Sequence, residues 1–186
     1  MGDTSRELFH RLNRERAEIY PKCRAEQGFT VMQAVALVEF EGLHVPNPYN
    51  GVLLKFYDPN QPNEKYFQHV DYIIDKATEY DIYVAFLPTW GDKIFKSGRG
   101  KGLEIFTIDN TKSYGKWLGN RYKDKKNMIW LLGGDRNPCN GNKDVKIWRA
   151  LSARIVEGVG GNDKTLMSFH PQPNEKGSEE WFHNNN

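Results

Sequence analysis

Asp135 stands where an α/β enzyme would keep a catalytic carboxylate. It follows the run Met128-Ile129-Trp130-Leu131-Leu132, which is closed by Gly133 and Gly134. A continuous apolar run of this length is too short for a typical helix and reads as a strand buried on both faces. Groups at the C-terminal mouth of such a strand are exposed to a ligand yet held by the sheet. The two glycines let the backbone turn there and let a ligand come close. The same residues also fit ordinary turn chemistry, with Asp135 capping the turn and Arg136 as its local salt-bridge partner.

Other strand exits carry polar or aromatic groups as well: Glu39, then Trp90, Asp92 and Lys93, then Arg136, then His170. Carboxylates and a histidine can move protons, and tryptophan faces can stack on the apolar faces of a sugar. Each has a plainer reading. Trp90 is either a sugar platform or packing under its loop. Asp92 either serves the site or caps a turn through Gly91, and Lys93 either contacts substrate or only pairs with Asp92. Arg136 either orients Asp135 or touches substrate. His170, held extended by Pro171, is either a site residue or a satisfied histidine. Trp117, Trp130 and Trp148 lie within elements and read as core. The sequence has no nucleophile elbow, no phosphate loop and no pair at H-E-x-x-H spacing, so it supports neither a metal site nor a cofactor.

The elements that would hold these groups alternate between helix and strand. Strands are expected over Phe29 to Phe40, Ile82 to Pro88, Met128 to Leu132 and Thr165 to Phe169. A short helix is expected over Thr4 to Leu12 and another from Asn13 to Gln27, with Pro21 either kinking the second or dividing it in two. Further helices run over Asn63 to Tyr80, from a cap at Asp109 to Tyr122, and from a cap at Asp144 to Glu157. Such alternation predicts a parallel sheet. The connections from helix into strand are short, while those from strand into helix are long and aromatic, as in a (β/α)8 barrel whose site is built from its βα loops. The segment Gly98-Arg99-Gly100-Lys101-Gly102 lies too far past its strand to be a dinucleotide fingerprint. Only four strands are expected in 186 residues, against ~250 residues for a full barrel. The reading is therefore one domain over residues 1–186, an incomplete (β/α)8 barrel lacking its first strand and its later ones.

Composition sets the class more broadly. Hydrophobic residues make up 38% and charged residues 27% of the chain, which describes a soluble globular protein. A net charge of +2 gives no electrostatic case for nucleic acid or membrane as a partner. Aromatic residues reach 13%, many of them in loops, which suits a ligand with flat apolar faces. Cys23 and Cys139 fit neither a metal motif nor a disulfide framework and read as free thiols. No run approaches membrane-spanning length, and no export signal opens the chain.

Several motifs resemble the apiosidase-like glycoside hydrolases of family 140. They are Gly2-Asp3-Thr4, Leu8-Phe9-His10-Arg11-Leu12, Leu87-Pro88-Thr89-Trp90-Gly91-Asp92-Lys93, Gly133-Gly134-Asp135-Arg136-Asn137-Pro138, Phe169-His170-Pro171 and Ser178-Glu179-Glu180-Trp181-Phe182-His183. The resemblance implies a (β/α)8 barrel that releases apiose from plant pectic polysaccharide, with carbohydrate as the partner and a periplasmic or secreted location. It implies that Asp135 is the general acid/base and that Asp3 belongs to the site; Trp181, in the loop-like tail, is within reach of the cleft and is read as a further substrate contact. The family's nucleophilic Glu lies on a late strand and matches nothing before Asn186, so this polypeptide alone is expected to be inactive. The alternative is a non-catalytic carbohydrate-binding remnant of such a barrel. Ser5-Arg6 departs from the family pattern, which has a small residue and a tryptophan there.

Overall fold

A computed structural model of the chain describes residues 1–96, 103–136 and 142–174. Five strands lie in one parallel sheet, in the order of the sequence: β1 (Gly2–Thr4), β2 (Val31–Leu37), β3 (Tyr83–Thr89), β4 (Met128–Gly133) and β5 (Met167–His170). Helices α1 (Leu8–Arg11) and α2 (Arg14–Glu26) join β1 to β2, and α3 (Glu64–Glu79) joins β2 to β3. Helices α4 (Ile108–Tyr122) and α5 (Asn142–Val159) complete the next two crossovers. An unbroken strand order is that of a barrel wall, whereas a doubly wound sheet reverses its order at a switch point. The fold is an incomplete (β/α)8 barrel.

The strand count is a correction, since the sequence predicts four strands and a start at a helix. Gly2, Asp3 and Thr4 pair with Val31, Met32 and Gln33. Three residues are too few for any periodicity to declare them. Two helix starts also move. The cap of α4 is Thr107, in a capping box with Asn110, and α5 begins at Asn142, so Asp144 sits in its first turn. Asn13 caps α2 as expected, and α2 is a single helix through the buried Pro21.

Both faces of the sheet are apolar, which explains the unbroken hydrophobic runs. Met32, Ala34, Val84, Phe86, Trp130 and Leu132 pack outward into the main core with the helices. Val35 and Leu87, direct partners across β2 and β3, form a smaller cluster on the inner face with Val38, Trp90 and Leu131. This inner cluster is the floor of the barrel mouth. At the other end of the sheet an open groove runs along β5, lined by Trp148, Val156, Met167 and Phe169. Among the described residues no strand pairs with the outer edge of β1 or β5, and no helix is long and apolar enough to cross a membrane.

The spacing of the crossover helices depends on small residues. Gly115 and Gly119, one turn apart on α4, face Leu151 and Ile155, one turn apart on α5. A Cβ on Gly115 would lie 2.9 Å from the Leu151 carbonyl oxygen, and one on Gly119 would collide with the Ile155 carbonyl and with Gly158. In a free helix, Gly→Ala stabilises by about 1 kcal/mol. Here Gly119→Ala should reverse that sign and lower the free energy of unfolding by about 1–3 kcal/mol through overpacking, read as a lower urea midpoint. A raised midpoint would mean that α4 and α5 do not approach this closely.

Candidate active site

The turn that carries Asp135 is built from three successive residues with positive φ: 95° at Gly133, 102° at Gly134 and 53° at Asp135. Glycine adopts this region freely, and aspartate tolerates it better than most side chains. Gly134 is needed for a second reason, because a Cβ there would lie 2.8 Å from Cδ2 of Trp90. Its N–H donates to the His170 carbonyl oxygen at 3.0 Å. The turn is thus wedged between the Trp90 ring and the end of β5. The close approach anticipated at these glycines is to the protein's own tryptophan.

His170 ends β5 and meets Asp135 across this wedge. Its Nε2 lies 3.3 Å from Asp135 Oδ1, and its ring stands edge-on to Trp90 with centroids 5.7 Å apart. On the other side of the ring, Nδ1 lies 3.4 Å from the amide nitrogen of Gln33. An amide N–H offered to Nδ1 leaves the imidazole hydrogen on Nε2, facing the carboxylate. The side chains of Asp135 and His170 are 32% and 30% exposed, so both are open to a ligand.

Beneath them lies a network that runs from the partly exposed Glu39 to a fully buried Lys93–Asp92 pair. Arg136 donates from Nη2 to Glu39 Oε1 at 2.7 Å and from Nη1 to the Asp135 carbonyl oxygen at 2.8 Å. Lys93 donates from Nζ to the Glu39 carbonyl oxygen and, at 2.6 Å, to Asp92 Oδ2. Both side chains of the Lys93–Asp92 pair are fully buried. Burial pushes the Asp92 carboxyl up to about 6 against the pull of Lys93, and burial likewise holds the Lys93 ammonium below its ordinary value. Close packing seals the layer: a Cβ on Gly91 would lie 2.7 Å from Cβ of Arg136 and 2.9 Å from the Gly134 carbonyl oxygen.

The residues expected to contact substrate therefore divide. Asp135, His170 and the partly exposed Glu39 meet at the mouth. Trp90, Asp92 and Lys93 are corrected from surface contacts to buried supports. Trp90 is 1% exposed, with Gly134 against its ring and the Arg6 guanidinium 5.1 Å over its face. Arg136, buried, reaches Glu39 and the Asp135 carbonyl through its two terminal nitrogens, while its Nε is buried without a partner among the described residues. Asp3 is not brought to the cluster at all. It lies within β1, and its carboxylate is taken by Tyr20 and Arg24 of α2. Trp181, with Asn137 and Pro138 of the Asp135 motif, lies outside the described residues. Sequence reasoning passed over Gln33, whose signal was a polar residue inside an apolar strand. It noted Arg6 only as a departure from the family pattern.

The buried pair gives a pH signature. The folded chain holds the Asp92 proton up to about pH 6, against 3.8 when unfolded. The contribution of this group to stability is therefore complete below about pH 4 and is lost as pH rises through about 6. Carboxyl-carbon NMR should give Asp92 a midpoint near 6, and Lys93→Met should move it higher still by removing the attracting cation. The fall in unfolding free energy between pH 4 and 6 should be smaller in Asp92→Asn. An Asp92 midpoint near 4 would refute this burial.

A family model for the apiosidase-like catalytic domain matches residues 1–186. No curated protein matches the sequence. A glycoside hydrolase family 5 structure from Bacteroides vulgatus ATCC 8482 superposes with a TM-score of 0.81 at 28% identity, covering 99% of this chain and 38% of that one. A second glycoside hydrolase gives a TM-score of 0.73 at 31% identity, covering 92% of this chain and 36% of that one. The endo-β-1,4-mannanase of Thermotoga petrophila shares the fold alone, with a TM-score of 0.61 at 14% identity over 91% of this chain and 42% of that one. The chain thus spans well under half the length of these three solved proteins. With the family model matched from its first residue to its last, this chain belongs to the apiosidase-like catalytic domain family.

Proposed function

We propose that residues 1–186 are part of a glycoside hydrolase barrel domain that cleaves glycosidic bonds in plant pectic polysaccharide, with Asp135 as general acid/base. The observation that carries this reading is the Asp135–His170 contact at the barrel mouth, 3.3 Å between Oδ1 and Nε2. The imidazole Nε2 lies beside one carboxylate oxygen, Oδ1, and on this reading Oδ2 is the oxygen that meets the substrate. In the first half of the reaction Asp135 gives its proton to the glycosidic oxygen as the bond to the anomeric carbon breaks. In the second half the same oxygen takes a proton from the attacking water.

Such a reaction needs a second carboxylate on the other side of the sugar. Glu39 is paired with Arg136 and Asp92 with Lys93, so each is committed to holding the mouth together. We assign the nucleophile instead to a glutamate on a later strand of the barrel, beyond residue 186. On this reading the 186-residue chain binds carbohydrate but does not turn it over.

The test is release of apiose from an apiose-containing pectic oligosaccharide. It compares the 186-residue chain with a longer form that includes the remaining strands, each with and without Asp135→Asn. Only the longer form should be active. Asp135→Asn should cost it about 10²–10⁴-fold in kcat, and His170→Ala a smaller factor. Turnover by the 186-residue chain would move the second carboxylate to Glu39 or Asp92. Turnover by the longer form that survives Asp135→Asn would remove Asp135 from the mechanism.

A further inference from the structure

The connection from β2 to α3, Val38 to Asn63, leaves the sheet at the same end as Asp135 and His170. It holds two adjacent aromatic residues in the left-handed region, Phe56 at φ 55° and Tyr57 at φ 58°. For bulky side chains this conformation is strained, and glycine or asparagine would relieve it. Core packing does not explain the strain, since Phe56 is 87% exposed and Tyr57 40%.

The loop beneath these rings is braced. Lys55 N–H donates to the Gln61 carbonyl at 3.0 Å, Asp58 N–H to the Lys55 carbonyl at 3.0 Å, and Gln61 N–H to the Asp58 carbonyl at 2.9 Å. The Asp58 carboxylate accepts from the Asn60 backbone and side chain and from the Gln61 side chain, all within 3.0 Å. Leu54 bridges to Pro62, and Leu53 and Leu54 anchor the base in the core. A strained tip on a closed, anchored base is a rigid mount for a solvent-facing ring.

The mount also connects to the barrel mouth. Phe40, itself half exposed, lines a small cavity there with Arg6, Glu39 and Trp90. The turn that follows it carries His44, whose Nδ1 lies 2.8 Å from the Tyr57 hydroxyl and whose ring meets the Tyr57 ring edge-on at 5.0 Å. His44 and Tyr57 are thus paired ring to ring, Phe56 adjoins Tyr57 in the chain, and Phe40 lies at the cavity four residues before His44; these four are read as a track. Rings of this kind stack on the C–H faces of successive sugars, and the polar atoms take up their hydroxyls.

We propose that this track is a distal carbohydrate subsite, which holds the part of a polysaccharide chain beyond the residue that is cleaved, with Phe56 as its outer platform. The proposal rests on the carbohydrate reading of the domain. Its test is native electrophoresis of the 186-residue chain in gels cast with soluble pectic polysaccharide. The wild type should be retarded. Phe56→Gly should bind about three- to tenfold more weakly with no fall in thermal midpoint, since glycine relieves the strain. Phe56→Trp should restore retardation.

If Phe56→Gly is retarded like the wild type, the subsite is overturned while the carbohydrate reading stands. If no form is retarded, the carbohydrate reading falls and the subsite with it. If Phe56→Gly instead converts an oligomer to a monomer in light scattering with retardation unchanged, the rings belong to a protein interface and the proposal is wrong.

Discussion

The ammonium of Lys93, fully buried at the end of β3, is the constraint around which the mouth of the barrel is arranged. A charge removed from water must be matched, and the match must be geometrically good, because its desolvation costs several kcal/mol. Asp92 supplies the countercharge and the Glu39 carbonyl a second acceptor. The carbonyl fixes where the chain leaves β2, so the Glu39 carboxylate is delivered to Arg136. Arg136 in turn holds the carbonyl of Asp135. Three strand exits are thereby tied to one another by charge-assisted bonds, which are directional where hydrophobic contact is not. The raised Asp92 pKa indicates that the pair adds little net stability. What it supplies is position: the β2, β3 and β4 exits cannot move independently.

This division of labour explains which parts of the molecule were legible in the sequence. The parallel sheet and its helices were readable because both faces of each long strand are buried, and the apolar runs record that. β1 was not, because three residues carry no period, and its pairing with β2 is a tertiary fact. At the site, residue types and strand-end positions identified Glu39, Asp92, Lys93, Asp135, Arg136 and His170 as a group. They did not separate those that face outward from those that lie beneath. That distinction depends on one-residue offsets after each strand: Asp92 and Lys93 enter a short 3-10 turn, Gly91–Lys93, that carries them under the loop of Glu39. Asp3 was misread for a related reason. As the partner of Met32, it shares that residue's side of the sheet, facing the helices, where Arg24 and Tyr20 take it up.

The sheet also shows why a partial barrel can hold its mouth in place. The inner cluster of Val35, Val38, Leu87 and Trp90 draws only on β2, β3 and the loops that follow them, and Leu131 packs against it from β4. The floor under Asp135 is therefore complete within these strands. The groove beside β5 is a different matter, because Trp148, Met167 and Phe169 line it without a further strand or helix over them among the described residues. In a closed barrel that face is covered by the next β/α unit. The geometry of the Asp135 side of the site is thus set locally, within β2 to β5.

Backbone strain separates the Asp135 turn and the Phe56–Tyr57 tip from ordinary turns. Among the described residues, Asn50, Asp81 and Asn174 take positive φ, but asparagine and aspartate do so commonly in turns. Asp135 is of a permissive type as well, yet it follows two glycines that are also left-handed, so its carboxylate direction is set by a whole turn wedged between Trp90 and β5. Phe56 and Tyr57 have no such tolerance. Strain persists in a folded protein only where the surroundings over-determine it, and both regions meet that condition, one through the wedge and the other through the hydrogen bonds closing Lys55 to Gln61. In each case the strained backbone presents a side chain to solvent at the same end of the barrel, a carboxylate in one and aromatic rings in the other. A fold that required only stability would place glycine or asparagine at 56 and 57. The rings that stand there instead are exposed, so core packing does not offset their strain.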